Sequence, residues 1–146
     1  MIRPATSDDA DAIVAIEREA FGADAWSPAL VDLELIAPGR VVLAAEQDDA
    51  VVGYASAAVI ADVSDLTRIA VRSHARRAGV ARGLLGALLA QAVERGAERM
   101  MLEVDEANEA ALGLYTAVGF REVARRPDYY GRGVDAVVME LAPLGP

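Results

Sequence analysis

The chain has 146 residues and a mass of 15.3 kDa, the size of one domain with one substantial core. Its formal charge of −9 argues against nonspecific nucleic-acid binding, which runs on phosphate neutralisation, and suits a cationic partner. There is no cysteine, which excludes disulfides and a cysteine nucleophile; no His/Asp/Glu cluster has metal-ligand spacing, and no apolar run reads as a signal peptide or a membrane span, so a cytoplasmic location is expected.

Thr6-Ser7-Asp8-Asp9 offers caps for a first helix with Ile13, Ile16 and Ala20 at helical spacing. Ser27-Pro28, a cap followed by a first-turn proline, starts a second helix through Leu30, Leu33 and Ile36 that stops at Pro38-Gly39. Residues 41–46 and 50–60 read as strands joined by Gln47-Asp48-Asp49, and residues 66–71 as another. Ala81, Leu84, Leu85, Leu88, Leu89, Ala92 and Val93 form the clearest helical stripe, ended by Gly96. Residues 100–104 are a short apolar strand. Asn108 caps a helix through Ala111, Leu112, Tyr115 and Val118 that closes at Gly119. Residues 120–124 and 134–141 are the last strands. The order ααβββαβαββ predicts one α/β domain, residues 1–146, with a mixed, mostly antiparallel sheet flanked by helices.

Arg68, Arg72, Arg76, Arg77 and Arg82 form a basic island in this acidic chain. They bracket a strand–loop–helix junction, Arg76-Arg77-Ala78-Gly79-Val80-Ala81. Free N–H groups and the dipole at such a helix start favour a phosphate or pyrophosphate. Gly79 allows close backbone approach, Ala81 is small, and the arginines add charge-assisted bonds. The segment is neither a Walker A loop nor a G-x-G-x-x-G fingerprint.

On that hexapeptide the chain resembles the GNAT superfamily, which binds acetyl-CoA with [R/Q]-x-x-G-x-[G/A]. Further elements follow in order: Leu66-Thr67-Arg68-Ile69-Ala70-Val71, Leu102-Glu103-Val104, Asn108 with Ala110-Ala111, Leu114-Tyr115, Gly119-Phe120, Tyr129-Tyr130 and Asp135-Ala136 before Met139. With Phe21 and Trp26-Ser27 they are similar to the ribosomal-protein-alanine N-acetyltransferases, the RimI type. The resemblance implies the GNAT fold, with acetyl-CoA at a splay between two parallel central strands. It implies acetyl transfer to the α-amino group of a protein, in the family the N-terminal alanine of the eighteenth small-subunit ribosomal protein. The partner is then a protein or peptide with a free N-terminus, a basic ribosomal protein, with no nucleic acid and no membrane. Ile69, Ala70 and Val71 would meet the pantetheine arm. Residues 76–82, Arg76, Arg77, Ala78, Gly79, Val80, Ala81 and Arg82, would hold the pyrophosphate, and Asn108 would touch the cofactor. Glu103 would be the general base and Tyr115 the general acid. Where family members often carry Val-Arg-x-Ser-Asn, this chain has Val104-Asp105-Glu106-Ala107-Asn108, an acidic pair that favours a more cationic substrate.

Direct transfer needs a base for the ammonium, a stabilised oxyanion and an acid for the leaving thiolate. Glu103 lies in an apolar strand, where a buried unpaired carboxylate costs on the order of 2–7 kcal/mol. It is therefore paired, exposed at a splay, or functional; an edge carboxylate or a partner for Arg68 stays open. Tyr115, on an apolar helix face, is a core tyrosine with its hydroxyl at the surface or a proton donor. Oxyanion N–H groups are expected from the irregular end of the strand at Ile69 to Val71. Phe21, Trp26, Tyr130 and Asp135 are candidates for the acceptor side, or simple loop anchors. Acetylation of a small free amine, and a noncatalytic acetyl-CoA-binding module, are the rival functions.

Overall fold

In the computed structural model, which describes residues 1–145, the elements run β1 (Ile2–Pro4), α1 (Ala10–Phe21), α2 (Pro28–Ile36), β2 (Arg40–Gln47), β3 (Ala50–Ile60), β4 (Val63–Val71), α3 (Val80–Glu94), β5 (Arg99–Asp105), α4 (Glu109–Val118), β6 (Arg121–Gly131) and β7 (Val134–Leu141). One sheet contains every strand, in the order β1-β2-β3-β4-β5-β7-β6. Only β4 and β5 are parallel; the other neighbours are antiparallel. This is the mixed, mostly antiparallel sheet expected.

Local chemistry explains the boundaries. Thr6 and Asp9 form a reciprocal capping box around a 3₁₀ turn, Ser7–Asp9, that leads into α1. Ser27 caps α2 by accepting from the Leu30 N–H at 3.2 Å. Gly96 and Gly119 take the left-handed conformation that ends α3 and α4 (φ +91° and +119°). Strand β1 was not read from the sequence. It has three residues, too few for a period-2 pattern, and pairs with Leu43 to Ala45 through backbone bonds that any side chain permits.

Two apolar clusters lie on opposite faces of the sheet. The larger packs α3 and α4 through Leu84, Leu85, Leu88, Ala92 and Tyr115 onto Leu66, Val71, Met100, Leu102 and Val104. The smaller packs α1 and α2 through Ile13, Val14, Ile16 and Val31 onto Tyr54 and Ala70. The α3 stripe is placed as expected. The α2 stripe is not: Leu30, Leu33 and Ile36 point outward, at 50%, 57% and 76% exposure, and Val31 is the residue buried. Nine residues make two and a half turns, too short for apolar spacing to select one face when both faces are apolar.

The contrast is testable by urea unfolding. Leu88→Ala, at a fully buried site, is expected to cost about 2–5 kcal/mol. Leu33→Ala should stay within about 0.5 kcal/mol of the parent.

Candidate active site

Strands β4 and β5 pair over Val63–Asp65 with Arg99–Met101 and then part. Beyond that point β5 is held only by β7, from Met100 to Asp105, and β4 only by β3. The gap between them is the centre of the site. Strand β4 prepares its side of the gap with a bulge. Ser56 pairs with Arg68 and Ala57 with Leu66, which leaves Thr67 without a partner. The extra residue changes which side chains face which helix layer. Leu66 packs with the α3 cluster, and without the bulge Arg68 would follow it there; instead Ile69 does, and Arg68 turns to α1.

The backbone register then decides which groups face the gap. Arg72 donates its N–H to the Val52 carbonyl at 2.7 Å. Alternation along an antiparallel ladder turns the N–H groups of Val71 and Ile69 the other way, toward the gap. Ala70, between them, faces β3 with its backbone and the α1 cluster with its methyl, so it offers the gap nothing. The irregularity sits at Thr67, upstream of the Ile69–Val71 segment where it was expected.

Beyond β4 the chain makes a 3₁₀ turn, Ser73–Ala75, and enters α3. Gly79 takes φ +80° at the N-cap, and Arg77 also has positive φ, +65°. The first helical bond runs from the Gly83 N–H to the Gly79 carbonyl at 2.9 Å. Among the described residues, the N–H groups of Arg77, Ala78, Gly79, Val80, Ala81 and Arg82 have no protein acceptor. Residues 76–79 are exposed. That run of free donors at a helix start is an anion cradle.

The basic island contributes less than its sequence suggested. Arg68 pairs with Glu17 and Arg72 with Glu19, both at 3.2 Å. The Arg76 Nε donates to the Val71 carbonyl at 3.0 Å, and its own N–H to Ser73. Arg76 therefore braces the strand end through Nε. Arg77 and Arg82 are exposed and, among the described residues, make no ion pair. Asn108 spends Oδ1 on the Ala111 N–H at 3.1 Å, as a cap, and keeps its amide donors.

Glu103 and Tyr115 lie on opposite faces of the sheet. On β5, Met100, Leu102 and Val104 are buried against α3 and α4, so Glu103 points to the other face. Its side chain is 29% exposed and pairs with Arg126 at 2.9 Å. The Arg68 partnership left open by the sequence belongs to Glu17 instead. Tyr115 packs edge-to-face on Phe120, with centroids 5.8 Å apart. Its ring is buried, but its hydroxyl has no protein partner among the described residues and is not sealed from solvent. Burial, with Tyr130 nearby, pushes its pKa up to about 12, so the phenol is protonated at neutral pH.

The acceptor candidates divide into two groups. Phe21 and Trp26 clasp the Arg68 guanidinium, with ring centroids 4.1 and 4.8 Å from its carbon. Arg68 also donates to the Asp24 carbonyl at 2.8 Å. The aromatic pair thus anchors the α1–α2 connection against β4. Tyr130 is 46% exposed and stacks edge-to-face with Tyr129. Desolvation first, then the neighbouring charge of Glu103, raises its pKa. Asp135 accepts from the Asp128 N–H at 3.1 Å and ties the β6–β7 hairpin.

Glu17 was missed from the sequence. It is fully buried and takes bonds from the Tyr54 hydroxyl, the Trp26 N–H at 2.7 Å and Arg68. The signal was available: a carboxylate one position after Ile16, within the buried face of α1. Arg126 carried no such signal, because its pairing with Glu103 spans an intervening strand.

The parted parallel strands, the bulge and the donor-lined helix start together mark a mixed-sheet α/β fold with its site at the centre of the sheet. The family profile described as Acetyltransferase (GNAT) family matches residues 10–120, and the chain belongs to that family. It is similar to the uncharacterized protein ML0378 of Mycobacterium leprae, 36% identical over 140 residues, which are 92% of this chain and 38% of that one. It is similar also to the [ribosomal protein bS18]-alanine N-acetyltransferase of Escherichia coli K12, 36% identical over 99 residues, 65% of this chain and 66% of that enzyme. The chain thus spans less than two thirds of either relative. The crystal structure of the ribosomal-protein-S18-alanine N-acetyltransferase from Escherichia coli superposes with a TM-score of 0.90 at 29% identity, covering 100% of this chain and 94% of that one. An aminoglycoside 6′-N-acetyltransferase complexed with coenzyme A shares the fold, with a TM-score of 0.90 at 17% identity over 100% and 98% of the two chains.

The raised Tyr115 pKa makes a stability prediction. Below pH 10 the phenol is neutral in both folded and unfolded chains and contributes nothing to pH dependence. Between pH 10 and about 12 the unfolded chain loses this proton and the folded chain keeps it, so stability falls as pH rises. Tyr115→Phe should remove up to about 1.4 kcal/mol per pH unit from that fall, measured by urea unfolding across the alkaline range. An unchanged slope would mean that the hydroxyl ionises freely.

Proposed function

We propose that the chain transfers the acetyl group of acetyl-CoA to the N-terminal α-amino group of a protein or peptide, as a ribosomal-protein-alanine N-acetyltransferase does. The observation that carries this reading is the parting of β4 from β5, with a run of free N–H donors at the helix start that follows β4 and a carboxylate, Glu103, on β5. Acetyl-CoA supplies an acetyl group activated as a thioester. The N–H groups from Arg77 to Arg82, with the Arg77 and Arg82 side chains, hold its diphosphate. The outward N–H groups of Ile69 and Val71 bind the pantetheine arm and leave a donor for the developing oxyanion.

Glu103 takes the proton from the incoming ammonium, directly or through water; an α-amino group has a pKa of about 8, so a carboxylate suffices. The neutral amine attacks the thioester carbonyl from the open face. Tyr115, protonated and with its hydroxyl unbonded, gives its proton to the departing thiolate. Tyr130 and the α1–α2 connection anchored by Phe21 and Trp26 line the acceptor side. Asp105, half-buried beside Glu103 on the same face of β5, adds negative charge for a basic peptide.

The deciding experiment incubates enzyme and acetyl-CoA with a short Ala-initiated, Arg-containing peptide and, separately, with a polyamine panel. Mass spectrometry then locates the modified nitrogen. N-terminal acetylation of the peptide is expected; turnover of the polyamines alone would overturn the reading. In the active assay, Glu103→Gln should lower kcat by about 10²–10⁴ at neutral pH, with partial recovery at higher pH where more amine is already neutral. Gly79→Val should weaken CoA binding roughly 5–100-fold by calorimetry. No atom lies within 4 Å of an added Cβ, so the loss would come from the +80° φ rather than from a clash within the chain.

A further inference from the structure

We propose that Arg126 is a displaceable counter-ion for Glu103: its guanidinium holds the carboxylate in the resting enzyme, and the cationic amine of the acceptor takes its place. The inference rests on the reading of Glu103 as the proton acceptor.

Arg126 is the only cation paired with Glu103 among the described residues. It does not come from a neighbouring strand, because β7 lies between β5 and β6. The residue level with Arg126 on β7 is Ala136, and level with Ala136 on β5 is Asp105. Arg126 therefore reaches past the nearer carboxylate and diagonally across a small side chain to meet Glu103. Its neighbour shows what a fixed arginine looks like here: Arg125 is held by Glu106, Glu122 and Asp135. Arg126 has one carboxylate and is 59% exposed at the side chain.

Two further features allow release. The Tyr129 ring lies 5.6 Å from the Arg126 guanidinium carbon and offers a second perch. The β6–β7 register lapses between Arg126 and Gly131, so the backbone after Arg126 is outside the ladder. An exposed ion pair is weak, so exchange of one cation for another costs little. While Arg126 stays bound it occupies the carboxylate, and it must move aside for Glu103 to meet the ammonium of the acceptor. After transfer the product is a neutral amide that no longer competes, Glu103 gives up the proton it took to solvent, and Arg126 returns to the carboxylate. The acceptor class this selects is a cationic, unblocked amine, and the returning side chain favours product loss.

The test compares the parent with Arg126→Gln and Arg126→Lys on whichever acceptor the parent acetylates, peptide or small amine. The expected result for Arg126→Gln is a KM for the acceptor up to about fivefold lower and stronger inhibition by acetylated product, with CoA affinity unmoved. Lysine should restore the parent KM. In a Glu103→Gln background, adding Arg126→Gln should leave KM unchanged, because the coupled partner is gone. An acceptor KM that is unchanged or raised in the single Arg126→Gln variant would overturn the proposal. Full turnover by Glu103→Gln would instead sink the assignment of the base itself.

Discussion

Two parallel strands that begin together and then separate are the constraint on which the site depends. A parallel pair normally continues as a ladder, and its central strands are sealed. Here β4 is pulled off line by the unpaired Thr67 and stays with β3, while β5 follows β7. The separation exposes backbone donors in the middle of a sheet, where they would otherwise be consumed. The Glu103 carboxylate on β5 lies on one face of the sheet and the Tyr115 phenol on the other.

The surrounding network keeps that opening in shape. Glu17 is buried without solvent and is satisfied by a hydroxyl, a backbone N–H and a guanidinium. Removal of one partner from such a set leaves a buried charge, which is far costlier than loss of a surface pair. Arg68, turned toward α1 by the bulge, links this network to the strand that lines the gap. The same irregularity thus opens the sheet and supplies the residue that locks the α1–α2 connection beside it.

Much of this was legible in the sequence. Caps and closing glycines fixed α3 and α4 closely, because Asn108, Gly96 and Gly119 act through local backbone chemistry. The cradle was legible for the same reason: strand, glycine and amphipathic helix are all near in sequence. What escaped was nonlocal. The outward turn of Leu30, Leu33 and Ile36 depends on which side of α2 the sheet lies. The pairing of Arg68 with Glu17, of Arg72 with Glu19 and of the Arg76 Nε with a strand-end carbonyl depends on groups brought close only by folding. The contact between Glu103 and Arg126 depends on strand order. In each case the residue type was visible and its partner was not.

The sheet also divides the molecule into unequal halves. The side carrying α3 and α4 holds the large apolar cluster, and the side carrying α1 and α2 holds the small one. Few side chains belong to both. Changes to the thin layer can therefore be made without disturbing the packing of the thick one. Such an arrangement lets one side of the sheet be refitted while the other keeps its core, with the cost of each refit confined to one face.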